Sequence, residues 1–260
     1  MRVALFVPCY VDQLKPEVGL ATLEVLRSVG IEPEYPLDQT CCGQPFLTAG
    51  ERDSAARLAQ RFTQVFGHYD RIVTPSGSCA ATVRRHLSRL APDPTAAAVA
   101  TATRELCEFL VETDRTPPAS VSFPRRVGLH ASCHGLRELG EGNPSETREP
   151  PRRDPARVLL EGIDGLELID LSRRDECCGF GGVFAIEQEA VSTRMGLDRL
   201  ADHRRGGAEV LTSTDVSCLL HLEGLARRRD DPLRVLHVAE ILAVASGARE
   251  NPADPRGGRH

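Results

Sequence analysis

Tryptophan is absent, methionine occurs twice, and Lys15 is the only lysine among 32 basic residues. Aromatic residues make up 4% of the chain, and no basic stretch is interleaved with them, which excludes the usual surface for nucleic acid. The balance of 32 basic and 37 acidic residues leaves a formal charge of −5 and points the same way. No window approaches the ~18 consecutive apolar residues that span a bilayer, so no direct membrane insertion is expected. The apolar run Val3–Val7 is too short for a signal peptide and leads straight into Cys9, so it reads as a first buried strand. The G-x-G-x-x-G order and the P-loop lysine are both missing, so the chain shows no nicotinamide, flavin or nucleotide fingerprint. An odd number of cysteines in an untargeted chain argues for reduced thiols in the cytoplasm and against a disulfide scaffold.

Those nine cysteines are the most informative residues present. Eight form two copies of one pattern. The first is Cys9, 31 intervening residues, Cys41-Cys42, 36 residues, Cys79; the second is Cys133, 43 residues, Cys177-Cys178, 39 residues, Cys218. Each pair is followed by glycine, Gly43 or Gly179. Adjacent cysteines suit neither a strain-free disulfide nor a zinc knuckle, whose ligands come as C-x₂₋₄-C. They do suit a multinuclear iron–sulfur cluster, which takes thiolates onto different irons. Four converging thiolates without a metal would repel one another and oxidise easily.

At 260 residues the chain is long enough for two ordinary domains, matching a repeat of roughly half its length. The expected class is α/β: two similar pseudo-symmetric lobes, each a mostly parallel sheet flanked by helices. Strands are expected at Val3–Val7, Ile72–Thr74, Val127–His130, Leu166–Leu171, Val210–Thr212 and Val235–Leu236. Helices are expected at Glu17–Val29, Glu51–Phe66, Cys79–Leu90, Thr101–Glu112, Phe184–His203, Ser217–Arg228 and His237–Ala245. The cluster cysteines then fall at strand-to-helix turns, where open α/β folds place ligands. Residues 1–118 form the first domain and 119–248 the second. The proline-bearing stretch 113–125 reads as a linker, 140–155 as a surface loop, and 249–260 as a flexible tail.

Cys107 continues an apolar helix face and reads as structural. In Cys178-Gly179-Phe180-Gly181-Gly182 the glycines either bring backbone N–H groups near sulfide or make a tight turn. His130 and His134 flank Cys133, and either could ligate iron or donate to sulfur. Asp215, an acid just before a helix, reads as an N-cap that could also offer oxygen to a labile iron. Asp215 and His134 therefore stand as possible extra ligands.

The segments VALFVPCYVDQLKPEVG, QTCCGQPFLTAG, PSGSC, ASCHGLRELG, DECCGFGGVFA and RVLHVAEIL cover nearly the whole chain. They resemble the CCG-domain proteins, which include the B subunit of heterodisulfide reductase and the iron–sulfur subunit of glycolate oxidase. The resemblance is closest to the lactate-utilisation protein A branch. It implies a cytoplasmic iron–sulfur, electron-transfer subunit, inactive alone, working with a ferredoxin-like cluster protein and a third small protein to oxidise L-lactate to pyruvate. The reductase relatives use a fifth cysteine per lobe to hold a noncubane double cluster. Here Ser76 and Asp215 stand in its place, so one [4Fe–4S] cubane per lobe is the expectation. Cys9, Cys41, Cys42 and Cys79 would hold one, and Cys133, Cys177, Cys178 and Cys218 the other. Three alternatives stay open: a thiol–disulfide reductase, a subunit oxidising glycolate or another 2-hydroxy acid, and a non-redox scaffold holding zinc or nothing.

Overall fold

The opening strand forms where the apolar run predicts it: β1 (Val3–Leu5) is buried along its length and is followed by α1 (Cys9–Leu14). The computed structural model describes residues 1–148, 150 and 152–250. Pro16 opens α2 (Pro16–Ser28), where its missing N–H would have had no helical partner, and Gly30 turns the chain away with φ 77°. There follow α3 (Gln44–Thr48), α4 (Arg52–Phe66), β2 (Arg71–Thr74), α5 (Gly77–Leu90), α6 (Pro94–Ala102), β3 (Thr103–Glu105) and α7 (Leu106–Glu112). The second half restates this order. It comprises β4 (Arg126–Leu129), a π-helical turn at His134–Leu139, α8 (Pro155–Glu161), β5 (Glu167–Leu168), α9 (Phe184–Glu187), α10 (Glu189–Arg205), β6 (Val210–Ser213), α11 (Val216–Arg227), β7 (Arg234–His237) and α12 (Val238–Ala245).

Two parallel sheets result, in the orders β1-β2-β3 and β5-β4-β6-β7. They have the same topology once a one-residue parallel bridge, Ala4 to Glu34, is matched to β5. The fold is therefore α/β with a duplicated unit, as expected. The inner faces of both sheets share one apolar core. Leu5, Val25, Phe109, Leu129, Leu160, Ile241 and Val244 meet there, so α2, α7, α8 and α12 lie between the sheets. Outside, Phe62, Phe66 and Val83 cover the first sheet, while Leu200, Leu219 and Leu222 cover the second.

Two expected helices are interrupted. Thr101–Glu112 is cut by β3, which pairs in parallel with β2. Glu105 ends that strand and starts α7 through a capping box, its carboxylate accepting from Cys107 N–H at 2.6 Å and Glu108 N–H at 3.2 Å. The stretch Phe184–His203 breaks at Gln188, whose φ and ψ of −124° and 45° are not helical. The segment 113–125 is pinned at two points. Ser120 and Val121 donate to the Ala245 carbonyl, and Phe123 is fully buried in the shared core. At the expected tail, the Arg249 guanidinium grips Glu24 at 2.9 and 3.1 Å, and residues 251–260 lie outside the described residues. Cys107 is buried in the shared core beside Leu106 and Phe109, as its helix face implied.

Candidate metal centre

Parallel strands deliver their following loops to one edge, and the cysteines use that edge in both halves. Cys9 follows β1, Cys79 lies in the first turn of α5 after β2, Cys133 follows β4, and Cys218 lies in the first turn of α11 after β6. The paired cysteines arrive on the loops before α3 and α9. All eight are free thiols, gathered as two groups of four. Cys9 and Cys41 sulfurs are 3.7 Å apart, and those of Cys42 and Cys79 are 3.3 Å apart, beyond the ~2.05 Å of a disulfide. In the second group the thiols also act on one another, Cys133 with Cys177 and Cys178 with both Cys177 and Cys218.

The CCG turns share one backbone feature: Gly43 and Gly179 both have φ 89°. That left-handed backbone favours glycine, and backbone N–H groups in both turns point back to sulfur. Gly43 N–H points to Cys41 Sγ at 3.4 Å, Gly179 N–H to Cys177 Sγ at 3.3 Å, and Phe180 N–H to Cys178 Sγ at 3.5 Å. A Cβ at Gly179 would also sit 2.6 Å from the Ser192 carbonyl, so the position requires glycine on two grounds. The tight-turn role read from the sequence is therefore met at Gly179, with its N–H on cysteine sulfur.

Electrostatics in each group single out the first cysteine of the pair. Cys41 is pulled down to about 3 by hydrogen bonds from Cys42 and Cys9, and Cys177 to about 2 by Cys133 and Cys178. Their neighbours Cys9, Cys42, Cys133 and Cys178 are pushed up, first by bonding to that thiolate and then by burial. One thiolate per group is tolerated; four require a cation among them. A set of soft sulfur donors with backbone N–H groups aimed at them fits an iron–sulfur cluster, the donor class such clusters use.

The extra ligands named from sequence are engaged elsewhere. Asp215 is buried and spans two helices: Oδ1 accepts from Ser217 N–H at 3.2 Å in α11, and Oδ2 from Ser78 N–H at 2.7 Å in α5. An antiparallel bridge joins Asp215 to Ser76, so the two positions that lack a fifth cysteine meet between the halves. His134 Nε2 accepts from the Gln44 amide at 3.0 Å, another contact between the halves. It is His130 that stands over the second thiol group, with a ring nitrogen within 4.8 Å of the Cys178 and Cys218 sulfurs. Sequence reasoning missed Arg199, fully buried on α10, whose Nε donates to His130 Nδ1 at 3.2 Å. Its signal lay in the repeat. Phe6 and His130 each precede the first cysteine of their set by three residues. The CCG glycines face Ala55 in α4 and Ser192 in α10, and counting the same steps onward from these matches Phe62 with Arg199 and Phe66 with His203.

The two groups adjoin one another. The Tyr10 ring packs edge-on to Phe180 at 6.0 Å, and Asp215 lines the recess around Cys9, Cys42 and Cys79. A cavity of about 530 Å³ lies apart from this edge, between Leu136, Glu141, Arg157 and Asp170. It is lined by both arginines and carboxylates and by none of the eight thiols.

Fold and site together define a duplicated α/β unit that presents four cysteines at the same edge of each sheet, a metal-binding cysteine-rich class. The chain belongs to the CCG cysteine-rich domain family, whose sequence model matches residues 3–84 and 127–223. It is similar to the lactate utilization protein A of Geobacillus thermodenitrificans, 37% identical over 93% of this chain and 98% of that one. The protein of the same name from Halalkalibacterium halodurans is 34% identical over 96% of this chain and all of its own. Among solved structures, a putative Asp/Glu racemase from Yersinia pestis aligns over 95% of this chain and 99% of its own at 12% identity, but its TM-score of 0.34 carries no argument.

Proposed function

We propose that this chain is a cytoplasmic iron–sulfur electron-transfer subunit of a multi-protein system that oxidises L-lactate to pyruvate. Cys9, Cys41, Cys42 and Cys79 would hold one [4Fe–4S] cluster, and Cys133, Cys177, Cys178 and Cys218 a second. The observation that carries the reading is the duplicated CCG turn, with its φ of 89° and its N–H aimed at the paired cysteine in both halves. The full-length similarity to proteins named for lactate utilization supports the substrate. No helix among the described residues is long and apolar enough to cross a membrane.

Such clusters, when bound, supply one-electron storage, and converting a 2-hydroxy acid to a 2-oxo acid releases two electrons and two protons. The chain's own groups would stabilise thiolate charge through Gly43, Gly179 and Phe180 N–H. Tyr10 and Phe180 would shield the space between the groups. No hydride carrier is evident among the described residues, and in this reading a ferredoxin-like partner and a third small subunit would complete the system. Ser76 and Asp215, used as helix caps where the reductase relatives have a fifth cysteine, weigh against direct disulfide chemistry.

Iron and sulfide analysis with EPR on anaerobically purified protein tests the reading. About eight irons and eight sulfides per chain are expected, from two four-iron clusters. A colourless zinc protein would refute it. The isolated chain should not oxidise L-lactate with an artificial acceptor until the partners are added.

A further inference from the structure

The second thiol group has a neighbour with no counterpart in the first. His130 is buried at the end of β4, and a ring nitrogen lies within 4.8 Å of both Cys178 and Cys218 sulfurs. Its two nitrogens are not equivalent. Nδ1 faces the Nε–H of Arg199 at 3.2 Å, and arginine can only donate, so Nδ1 must present its lone pair. A ring that accepts at Nδ1 cannot be the doubly protonated imidazolium, whose two nitrogens both donate. A neutral imidazole with its lone pair on Nδ1 carries its proton on Nε2. That Nε2–H is buried and has no hydrogen-bond partner among the described residues. A buried donor without an acceptor is costly, and the polarisable sulfurs within 4.8 Å of this imidazole are the acceptors at hand.

We propose that His130 donates a hydrogen bond from Nε2–H to a sulfur of the cluster held by Cys133, Cys177, Cys178 and Cys218, making it a positioning and tuning group for that cluster alone. The inference rests on the iron–sulfur reading above. Ligation of iron by His130 is excluded by the same geometry, because Nε2 would need the lone pair that the Arg199 contact assigns to Nδ1. In the first half the matching residue is Phe6, which packs against Phe62 at 4.9 Å and Phe66 at 5.6 Å and donates nothing. An N–H bonded to sulfur favours the more negatively charged, reduced cluster. The second site is therefore raised in potential by a contact that the first site lacks.

The test uses the full chain, anaerobically purified, with His130→Phe to copy the first half and His130→Gln to restore an N–H donor. Cys177→Ser/Cys178→Ser identifies which EPR signal belongs to the second site. Iron and sulfide should be unchanged in both His130 variants. His130→Phe should shift the reduced-to-oxidised ratio of the second site roughly tenfold toward oxidised at fixed potential, about 59 mV for one electron. His130→Gln should recover most of that shift, and the first-site midpoint should stay put. Pulsed EPR of the unaltered protein needs no variant. It should show a weak nitrogen coupling and an exchangeable proton at the second site. An unmoved midpoint in iron-replete His130→Phe, or the strong coupling of a directly bound imidazole, would overturn the donor role and leave the iron–sulfur reading standing. Absence of iron from the unaltered protein would overturn that reading itself.

Discussion

Behind Cys9 the first half stacks three phenylalanines; behind Cys133 the second half buries a histidine, an arginine and another histidine on the same scaffold. Phe6, Phe62 and Phe66 contact one another at centroid separations of 4.4 to 5.6 Å, and all three are essentially inaccessible to solvent. His130, Arg199 and His203 are equally buried. Room for the second set is made at Gly128, which matches Ala4 in the first half: a Cβ there would collide with His203 Nδ1. Arg199 is held by Asp202 at 3.2 Å and by the Arg173 carbonyl, while its Nη2 has no partner among the described residues. An aromatic cluster leaves the electrostatics of its thiols to the backbone N–H groups. A buried guanidinium adds a positive field that eases negative charge on nearby sulfur, and Cys178 lies within its influence. The duplicated fold thus repeats a set of four thiols without repeating its environment.

The comparison is broken most directly at the thiols. Replacing Cys41 and Cys42 with serine should remove only first-site EPR signals, and replacing Cys177 and Cys178 only second-site signals. Each double variant should keep about half of the iron. Loss of all iron from either would show that the halves do not load independently, a real risk for two sheets that share one core.

Arg199→Met removes one partner of a buried ion pair and should destabilise the fold by about 3–5 kcal/mol, read from urea unfolding of the cluster-free chain. Adding Asp202→Asn should recover part of this loss, since the buried Asp202 charge is then balanced only by the half-exposed Arg205 at 3.2 Å. Phe62→Ala, at the matching position, should cost a similar ~3–5 kcal/mol by leaving a cavity, and no second substitution should rescue it. Equal non-rescue in both halves would mean that Arg199 acts only as bulk.

A smaller contrast lies in the matched capping boxes of α7 and α12, headed by Glu105 and His237. Burial raises Glu105 from 4.5 to about 8, with Glu108 and Asp154 adding repulsion. The folded chain keeps a proton that the unfolded chain releases, so this group withdraws stability as pH rises from about 4.5 to about 8. Burial lowers His237 from 6.5 to about 4; here the unfolded chain takes up the proton first, and stability is lost as pH falls through that interval. Glu105→Gln keeps the cap acceptor and should flatten the alkaline fall in Tm, leaving the acid limb to His237. An unchanged alkaline limb would remove Glu105 as its source.

These contrasts mark what the chain's letters could convey. The eight thiols were legible as two groups because their spacing repeats, and β1, β2, β4 and β6 because buried parallel strands read as apolar runs. The interruption at Thr103–Glu105 was not: apolar periodicity runs through it, and only pairing with β2 makes it a strand. Arg199 and His203 stand four apart on a charge-rich helix, where sequence alone puts them in water. Only matching α10 against α4, step by step from the CCG glycine, shows that they occupy core positions. His134 and Asp215 were legible as groups near the thiols, but the contact between the halves that claims each of them was not.

The smallest effect tests that contact. Tyr10 follows Cys9 and Phe180 follows Cys178-Gly179, so their edge-on packing at 6.0 Å and 80° ties one thiol group to the other. Aromatic pairs in this geometry contribute about 0.5–1.5 kcal/mol beyond the area they bury. A double-mutant cycle with Tyr10→Leu and Phe180→Leu should return a coupling in that range from chemical unfolding. Leucine keeps an apolar contact at each position, so the cycle isolates the ring pair. In the cluster-loaded protein, each single variant should also change the EPR signal of both sites slightly, because each ring belongs to one group and touches the other's partner. Zero coupling together with a response confined to one site would mean that the two halves merely stand side by side at this edge. A coupling within range and a response at both sites would make the Tyr10–Phe180 contact a shared wall between otherwise dissimilar environments.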